Sequence, residues 1–363
     1  MFRIFCVKIC AASYLFILIS AMPALADSKF QDPLDYPAKV RTSVNSRPLM
    51  AIASAGNALV AVGSRGLIIR STDDGKTWNQ SSVPVQSDLL AVNFPNSKEG
   101  WAVGHDGVIL HSEDGGKIWK KELDGRIAGK EFINYYAEHD NDAATKAAAA
   151  EIALNYKSGP SLPWLDVWFK DDNNGFVVGS FGMIAATTDG GKTWKPWLDR
   201  IDNKQWLNLN CIRGVGDDIY IAGERGMVFK LDLNKNLFKK IATGYDGSFF
   251  GFIGNTSTLL AFGLRSTVYR SNDNGLSWNE LKIPTEAVAT INGASLIPNS
   301  SGFALINNEG QILLSDREAG QLKIVQANKQ MRYTGGITFA KNNSIVVTGL
   351  NGVVSVNSGI TSK

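Results

Sequence analysis

Aspartates recur along this sequence within one short repeated pattern, and pairs of carboxylates are the groups that hydrolyse glycosidic bonds. The pattern is Ser/Thr-x-Asp-x-Gly-x-Thr-Trp, and four clear copies begin at residues 71, 112, 187 and 271. Its defining residues are Asp73, Gly75, Trp78, Asp114, Gly116, Trp119, Asp189, Gly191, Trp194, Asp273, Gly275 and Trp278. Three further acids, Asp88, Asp106 and Asp166, lie outside the pattern, and no spacing marks any two carboxylates as a catalytic pair.

Turn chemistry accounts for the residues of the repeated pattern. An Asp side chain at this position accepts hydrogen bonds from the backbone N–H groups just ahead of it. Gly tolerates a positive φ, and a Trp at the start of the outgoing strand covers the turn with apolar surface. The pattern therefore predicts hairpins in which the Asp, Gly and Trp residues are structural, and it predicts no catalytic residue.

Other kinds of site find little support in the sequence. His105, His111 and His139 show no metal-ligand spacing with Cys, Asp or Glu. The chain has no phosphate-binding Gly-rich loop that opens a helix and no Gly-x-Ser-x-Gly motif. Its 37 basic and 34 acidic residues nearly balance, which gives no electrostatic case for nucleic acid. We expect no metal, no cofactor and no nucleic-acid partner.

The repeat also specifies the elements that carry it. Weaker copies span 231–238, 315–322 and 355–361, so that copies begin about every 40 to 44 residues, with one longer step. Before each copy lies an apolar run, a tight turn of the type Val-Gly-x-x-Gly, and a second apolar run. Each step holds four short strands, which is the size of a propeller blade. Seven such units predict an all-β, seven-bladed β-propeller over residues 27–363.

Two segments depart from the repeat. Residues 125–162 lie between the second and third blades, and the stretch 142–154 has the composition of a helix with Asp142 as its N-cap. We expect a helical insertion there. The strand pattern of the last blade ends after its third strand, and residues 38–43 are an additional predicted strand near the other end of the chain. We therefore expect residues 38–43 to complete blade seven and close the ring.

Residues 1–26 have the three parts of a secretory signal peptide. A basic start is followed by the apolar run 11–22, a proline, and small residues that end at Ala26. Cleavage after Ala26 predicts a periplasmic protein, and an uncleaved anchor is the alternative. The mature chain would keep Cys211 as its one cysteine, so no internal disulfide forms. Because Cys211 lies in an apolar, strand-like run, we expect a buried thiol rather than a reactive one.

The four clear copies resemble the Asp box of BNR-repeat propellers. Together with the Val-Gly-x-x-Gly turns they resemble the photosystem II stability/assembly factor family, and residues 61–78 and 176–194 carry the resemblance best. It implies an exported propeller without enzymatic activity that assists assembly of a membrane protein complex and binds through an arginine-rich patch. It would lie in the thylakoid lumen of a phototroph. In a non-phototroph it implies an accessory protein of an RND-type transporter.

The turns between second and third strands share one face with the connections between blades, which is the face where propellers usually bind partners. The candidate partner-binding residues at their tips are Arg65, Asp106, Phe181, Arg225 and Arg265. The three arginines would bind carboxylates of an exported segment of the complex. The alternative is that they are solvated turn residues without a partner. We expect the protein to be a monomer. A glycan-binding or sialidase-like glycoside hydrolase propeller is the alternative function. In that case Trp164, Trp168, Trp197 and Trp206 would stack on sugars.

Overall fold

Seven antiparallel sheets follow one another along the chain, six with four strands and the last with three among the residues described. The computed structural model describes residues 31–139, 141–325, 331 and 334–357. Blades one to three contain β1 (Leu49–Ala55), β2 (Ala58–Gly63), β3 (Ile68–Ser71), β4 (Asn79–Gln80), β5 (Leu89–Asn93), β6 (Gly100–Gly104), β7 (Ile109–Ser112), β8 (Lys120–Leu123), β9 (Trp164–Phe169), β10 (Gly175–Gly179), β11 (Ile184–Thr187) and β12 (Lys195–Pro196).

The remaining blades repeat the same order of strands. They contain β13 (Leu209–Val215), β14 (Asp218–Gly223), β15 (Val228–Asp232), β16 (Leu237–Ile241), β17 (Phe249–Gly254), β18 (Leu259–Gly263), β19 (Val268–Ser271), β20 (Asn279–Glu280), β21 (Ile291–Leu296), β22 (Phe303–Asn307), β23 (Ile312–Leu314), β24 (Lys323–Val325), β25 (Thr334–Phe339), β26 (Ile345–Gly349) and β27 (Gly352–Val356).

The first strands of the blades form the inner ring. Each contacts the first strand of the next blade, and β25 contacts β1, so the ring is closed. The second strand of every blade is buried along its length, apart from the first residue of β14. Such a strand is apolar on both faces because each blade packs against its two neighbours. The prediction of a seven-bladed β-propeller is confirmed.

The loops divide between two faces of the propeller. On the first, the turn between β2 and β3 meets the connection between blades one and two, where the Gly66 N–H donates to the carbonyl oxygen of Ser87 at 2.8 Å. We call this the upper face. On the opposite face, the lower face, the Gly115 N–H of a box turn donates to the carbonyl of Lys98 at 2.9 Å. The Asp boxes therefore lie on the lower face, away from the connections between blades.

The first glycine of each Val-Gly-x-x-Gly turn is required because the backbone at the start of the inner strand passes close to its Cα. In blade two, a Cβ on Gly104 would lie 2.0 Å from the carbonyl oxygen of Asp88, where the chain enters the inner strand. That inner strand carries a register shift between Leu89 and Ala91, and the other six inner strands carry a shift at the equivalent position. The glycine thus makes room for a bulged strand start.

Two helices, α1 (Gly125–Glu138) and α2 (Ala143–Asn155), lie between β8 and β9. The helix expected over 142–154 is present as α2, and Asp142 and Thr145 form a capping box at its start. Helix α1 was not expected. It is capped by Asp124 and buries Phe132 and Tyr136 against blade three, an apolar spacing of four residues that the two glycines of the helix obscure in the sequence.

Residues 38–43 do not form the fourth strand of blade seven, so that prediction is wrong. The Ala38 N–H donates to the carbonyl of Val83 at 3.0 Å, and the Gln86 N–H donates to Pro33 at 2.7 Å, which places this segment along the outside of blade one. The physical reason is burial. Leu34 is 2% exposed among the side chains of blades one and two, whereas Val40 within the expected strand is 94% exposed.

Candidate functional site

The four clear Asp boxes are tight hairpins whose carboxylates are occupied by hydrogen bonds. In the first box, Oδ1 of Asp73 accepts from the Thr77 N–H at 2.9 Å, and Oδ2 accepts from the Thr77 hydroxyl at 2.6 Å. The Ser71 hydroxyl donates to Asp73 as well, and the Trp78 indole N–H donates to the carbonyl of Gly75. These bonds hold the pKa of Asp73 at about 2. A carboxylate so engaged stabilises its own turn and has no proton to donate near neutral pH.

The weaker copies keep part of this geometry. In the copy at 231–238, Asp232 accepts from the N–H groups of Asn234 and Lys235, and Phe238 is fully buried at the position of the Trp. In the copy at 315–322, Asp316 accepts from the N–H of Gly320 at 3.1 Å. The last part of the copy at 355–361, residues 358–361, lies outside the described residues.

The tips of the upper face share an unusual backbone conformation. Five of the seven tip residues adopt the left-handed region, which costs a non-glycine residue about 1 kcal/mol. Their φ values are 56° for Arg65, 59° for Asp106, 54° for Phe181, 51° for Arg225 and 56° for Arg265. In blades six and seven, Gly310 and Gly352 take the positive φ instead. In the first five blades the residue after the apex is left-handed as well, so each of these turns has two consecutive left-handed residues, and the first of them carries the variable side chain.

Side chains of the next connection hold several tips in place. The Arg65 N–H donates to Oδ1 of Asp88 at 2.7 Å, and the Phe181 N–H donates to Oδ1 of Asn208 at 2.7 Å. Asp106 uses its own side chain, since Oδ2 accepts from the Ser87 hydroxyl at 2.7 Å. These bonds offset the backbone strain. They also engage Asp88 and Asp106 as structural groups rather than as free acids.

The three tip arginines do not lie together. Arg225 and Arg265 are on the adjacent blades four and five, whereas Arg65 is on blade one. Arg225 donates to Oε1 of Gln205 at 3.3 Å, and the guanidinium of Arg265 has no hydrogen-bond or ion-pair partner in the described part of the chain. The upper face thus presents two separate cationic areas rather than one arginine sector.

Arg65 belongs to a cluster that the sequence did not reveal. It lines a cleft of about 190 Å³ together with Arg41 and Arg47, which come from the segment that precedes β1. No acidic side chain pairs with these three guanidinium groups among the residues described. Arg41 was missed because segment 38–43 was expected to be a strand of blade seven, and Arg47 was missed because no motif marks the residues between that segment and β1.

The central channel is a cavity of about 220 Å³ lined by the inner strands of all seven blades. Asp166 is buried there, and it accepts from the Ile212 N–H at 2.8 Å and from the guanidinium of Arg213. It is the single carboxylate among the described residues that line the cavity, so these residues offer no pair of acids for glycoside hydrolysis. Cys211 lies beside the channel as a buried free thiol, and burial raises its pKa to about 12.

Trp164, one of the side chains expected to stack on sugars, is 1% exposed, and its indole N–H donates to the carbonyl of Gly107 at 3.1 Å. It is therefore a core residue. The ring centre of Trp197 lies 5.0 Å from the guanidinium carbon of Arg200, and the ring packs against the core of blade three.

Within the described ranges, no three His, Cys, Asp or Glu side chains are grouped so that they could hold a metal ion. The same ranges contain no helix long and apolar enough to cross a membrane.

Comparison with known proteins gives the family. The model of the family described as "Photosynthesis system II assembly factor YCF48" matches residues 49–155 and 141–243, which together are more than half of the chain. The chain belongs to this family. The family resemblance inferred from the Asp boxes is thus confirmed.

Curated members of the YCF48 family align with part of the chain. The protein named "Photosystem II assembly lipoprotein Ycf48" of Synechococcus sp. (strain CC9902) is 30% identical over 142 residues, which are 35% of this chain and 42% of the relative. The protein of the same name from Prochlorococcus marinus (strain NATL2A) is 46% identical over 52 residues, 11% of this chain and 15% of the relative. The chain therefore spans less than half the length of these relatives.

Solved YCF48 structures share the fold. The structure described as "YCF48 bound to D1 peptide" has a TM-score of 0.61 at 15% identity and covers 91% of this chain and 99% of its own. "YCF48 from Cyanidioschyzon merolae" has a TM-score of 0.59 at 16% identity and covers 88% and 98%. At these identities the likeness concerns the propeller fold alone.

Proposed function

We propose that this chain is an exported, non-catalytic propeller that assists the assembly or stability of a membrane protein complex. It would bind an exposed segment of that complex through the upper face. Membership of the YCF48 family supports this function, and a member of the family has been solved with a D1 peptide bound. In a phototroph the partner would be photosystem II. In a non-phototroph it would be another complex, for example an RND-type transporter.

The observation that carries the proposal is the set of unpaired arginines on the upper face. Arg41, Arg47 and Arg65 line one cleft, and Arg265 stands apart on blade five, all without acidic partners in the described part of the chain. A guanidinium presents five donors in a planar fork that matches a carboxylate. Each such group would therefore bind an acidic side chain of the partner at little cost, because no internal ion pair has to be broken first.

The proposed compartment rests on the composition of the first 26 residues. A signal peptide cleaved after Ala26 would deliver residues 27–363 to the periplasm or to the thylakoid lumen. The two curated relatives are named lipoproteins, whereas Cys10 of this chain has no lipobox before it. Mass spectrometry of the exported protein is expected to find a chain that begins at Asp27, and a retained Met1 would contradict this.

The function is tested by pull-down from a detergent-solubilised membrane fraction of the source organism with tagged protein. We expect a membrane protein complex to be recovered at low salt and to be lost as salt rises, because the contacts are charge pairs. The variant Arg225→Glu/Arg265→Glu is expected to recover about tenfold less. Lys76→Glu/Lys192→Glu is the matched control, since it reverses two exposed cations of the lower-face boxes. Recovery of no membrane protein by the wild type, or equal loss in both variants, would overturn the proposal.

A further inference from the structure

Three exposed apolar side chains surround the tip of blade five on the upper face. Val288 is 65% exposed, Phe250 is 39% exposed and Leu264 is 37% exposed. The Leu264 N–H donates to the carbonyl of Ser248 at 3.1 Å, which places the tip beside the start of β17 and Phe250. The Ser266 hydroxyl donates to the carbonyl of Ala289 at 3.0 Å, which places the other side of the tip next to Val288. We call Phe250, Leu264, Arg265 and Val288 the blade-five patch.

The residue before the apex is polar in five blades, where it is Ser64, His105, Ser180, Glu224 or Asn308, and it is leucine in two, Leu264 in blade five and Leu350 in blade seven. Blade five differs from blade seven at the apex itself, which is Arg265 rather than Asn351. The core does not require a leucine at position 264, because more than a third of its side chain lies in solvent. Single exposed apolar residues are ordinary, whereas adjacent ones mark an interaction site. Phe250 also lines the central channel, so the patch begins at the channel wall.

The patch combines its apolar surface with an unpaired charge. Arg265 is the apex residue, fixed in the left-handed conformation, and its N–H approaches the Thr290 hydroxyl at 3.4 Å. Its guanidinium has no acceptor among the described residues. A partner that buries the three apolar side chains would also desolvate this cation, which costs free energy unless the partner brings an acceptor. An occupant with an apolar side chain next to a carboxylate meets both requirements, because the carboxylate supplies the acceptors and also neutralises the charge.

We propose that the blade-five patch is the hydrophobic anchor site for the partner, and that it takes an exported peptide segment with a large apolar side chain next to an Asp or Glu. This rests on the proposed function and names the chemistry of the segment that the upper face binds. The apolar side chain packs against Phe250, Leu264 and Val288, and the neighbouring carboxylate binds Arg265. Interfaces draw most of their affinity from a few such buried anchors, which a polar rim protects from water.

The anchor site is tested with the variant Leu264→Ser/Val288→Ser and a control in the same blade. Leu276 is 88% exposed on the lower face, so Leu276→Ser removes an even more exposed apolar side chain without touching the patch. The probes are two fluorescein-labelled octapeptides of equal charge, one of alternating Glu and Leu, the other of alternating Glu and Ser. Binding is measured by fluorescence anisotropy, and thermal melts establish that each variant is folded.

We expect the Glu/Leu peptide to bind the wild type and Leu276→Ser about tenfold more tightly than the Glu/Ser peptide. Leu264→Ser/Val288→Ser should bind the two peptides equally. Equal binding of both peptides to the wild type would overturn the anchor site, as would association of the free protein into dimers that this double variant disperses. These outcomes are separate from the pull-down, in which failure of the proposed function appears as recovery of no membrane protein by the wild type.

Discussion

The guanidinium of Arg126 binds both carboxylate oxygens of Asp35, at 3.0 and 2.8 Å, although 91 residues separate the two in the chain. Arg126 lies in the first turn of α1 and also donates to Asp124, the N-cap of that helix, at 3.0 Å. The N-terminal segment is thus tied to the insertion and to blade two. This pair adds to the burial of Leu34 in holding residues 32–38 along the outside of blades one and two.

Removal of this pair should loosen the N-terminal segment without unfolding the propeller. For Arg126→Ala we expect only a small loss in the free energy of unfolding, because solvent screens this exposed pair. Amide hydrogen exchange of residues 32–41 should become faster, while exchange in β2 and β6 stays unchanged. Lys130→Ala, an exposed change in the same helix, is the control. Unchanged exchange in residues 32–41 of Arg126→Ala would contradict this role.

The Asp boxes should make stability fall in acid. Hydrogen bonds from the Thr77 side chain and from the Ser277 side chain hold the pKa of Asp73 and of Asp273 at about 2, below the usual value of about 3.9. A carboxyl group with a lowered folded pKa contributes stability that is fully present above its unfolded pKa and is lost as the pH falls towards its folded pKa. The free energy of unfolding should therefore decline between about pH 4 and pH 2.

Thermal melts across pH 5 to pH 2 would measure this decline. Asp73→Asn/Asp273→Asn should be less stable than the wild type at pH 5, and its stability should fall less steeply on acidification because two of the titrating groups are gone. Asp246→Asn, an acid outside the boxes, is the control and should keep the wild-type slope. If the free energy of unfolding declines equally steeply in all three proteins, the Asp boxes do not determine the loss of stability in acid.

The bulged start of each inner strand predicts a large cost for a single methyl group. Gly104→Ala places a Cβ 2.0 Å from the carbonyl oxygen of Asp88, so we expect a loss of about 3 kcal/mol in the free energy of unfolding. Gly216→Ala is the matched control. Gly216 has a φ of 59° and no heavy atom within 4 Å of the added Cβ, so this substitution should cost only about 1 kcal/mol. Urea unfolding of both variants gives the comparison, and equal losses would show that the close approach is relieved by a small backbone shift.

What the sequence could predict was local. Box hairpins are specified within eight residues, as Ser71 to Trp78 illustrate, and seven repeats fix the number of blades. The path of residues 32–48 depends on the burial of Leu34 between blades one and two, and no local sequence pattern encodes this long-range contact. The cluster of Arg41, Arg47 and Arg65 was missed for the same reason. Helix α1 was missed because Gly125 and Gly129 lower its helix propensity, while burial of Phe132 stabilises it in the fold.

The connection between β8 and β9 shows that the propeller tolerates a long insertion between two blades. Its ends are held firmly, with Asp124 capping α1 and Trp164 buried at the start of β9. The residues between them lie over the upper face, where α1 contacts the turn at residues 105–107. The first three strands of blade two and the strands of blade three pair as in blades with short connections, whereas the outermost pair of blade two has an additional register shift between Ile109 and Leu110, next to the insertion. A long insertion therefore leaves the closed ring undisturbed. Members of a lineage that exchanged such a connection would acquire a new binding wall in one step, and the inner ring beneath it would keep its strand pairing.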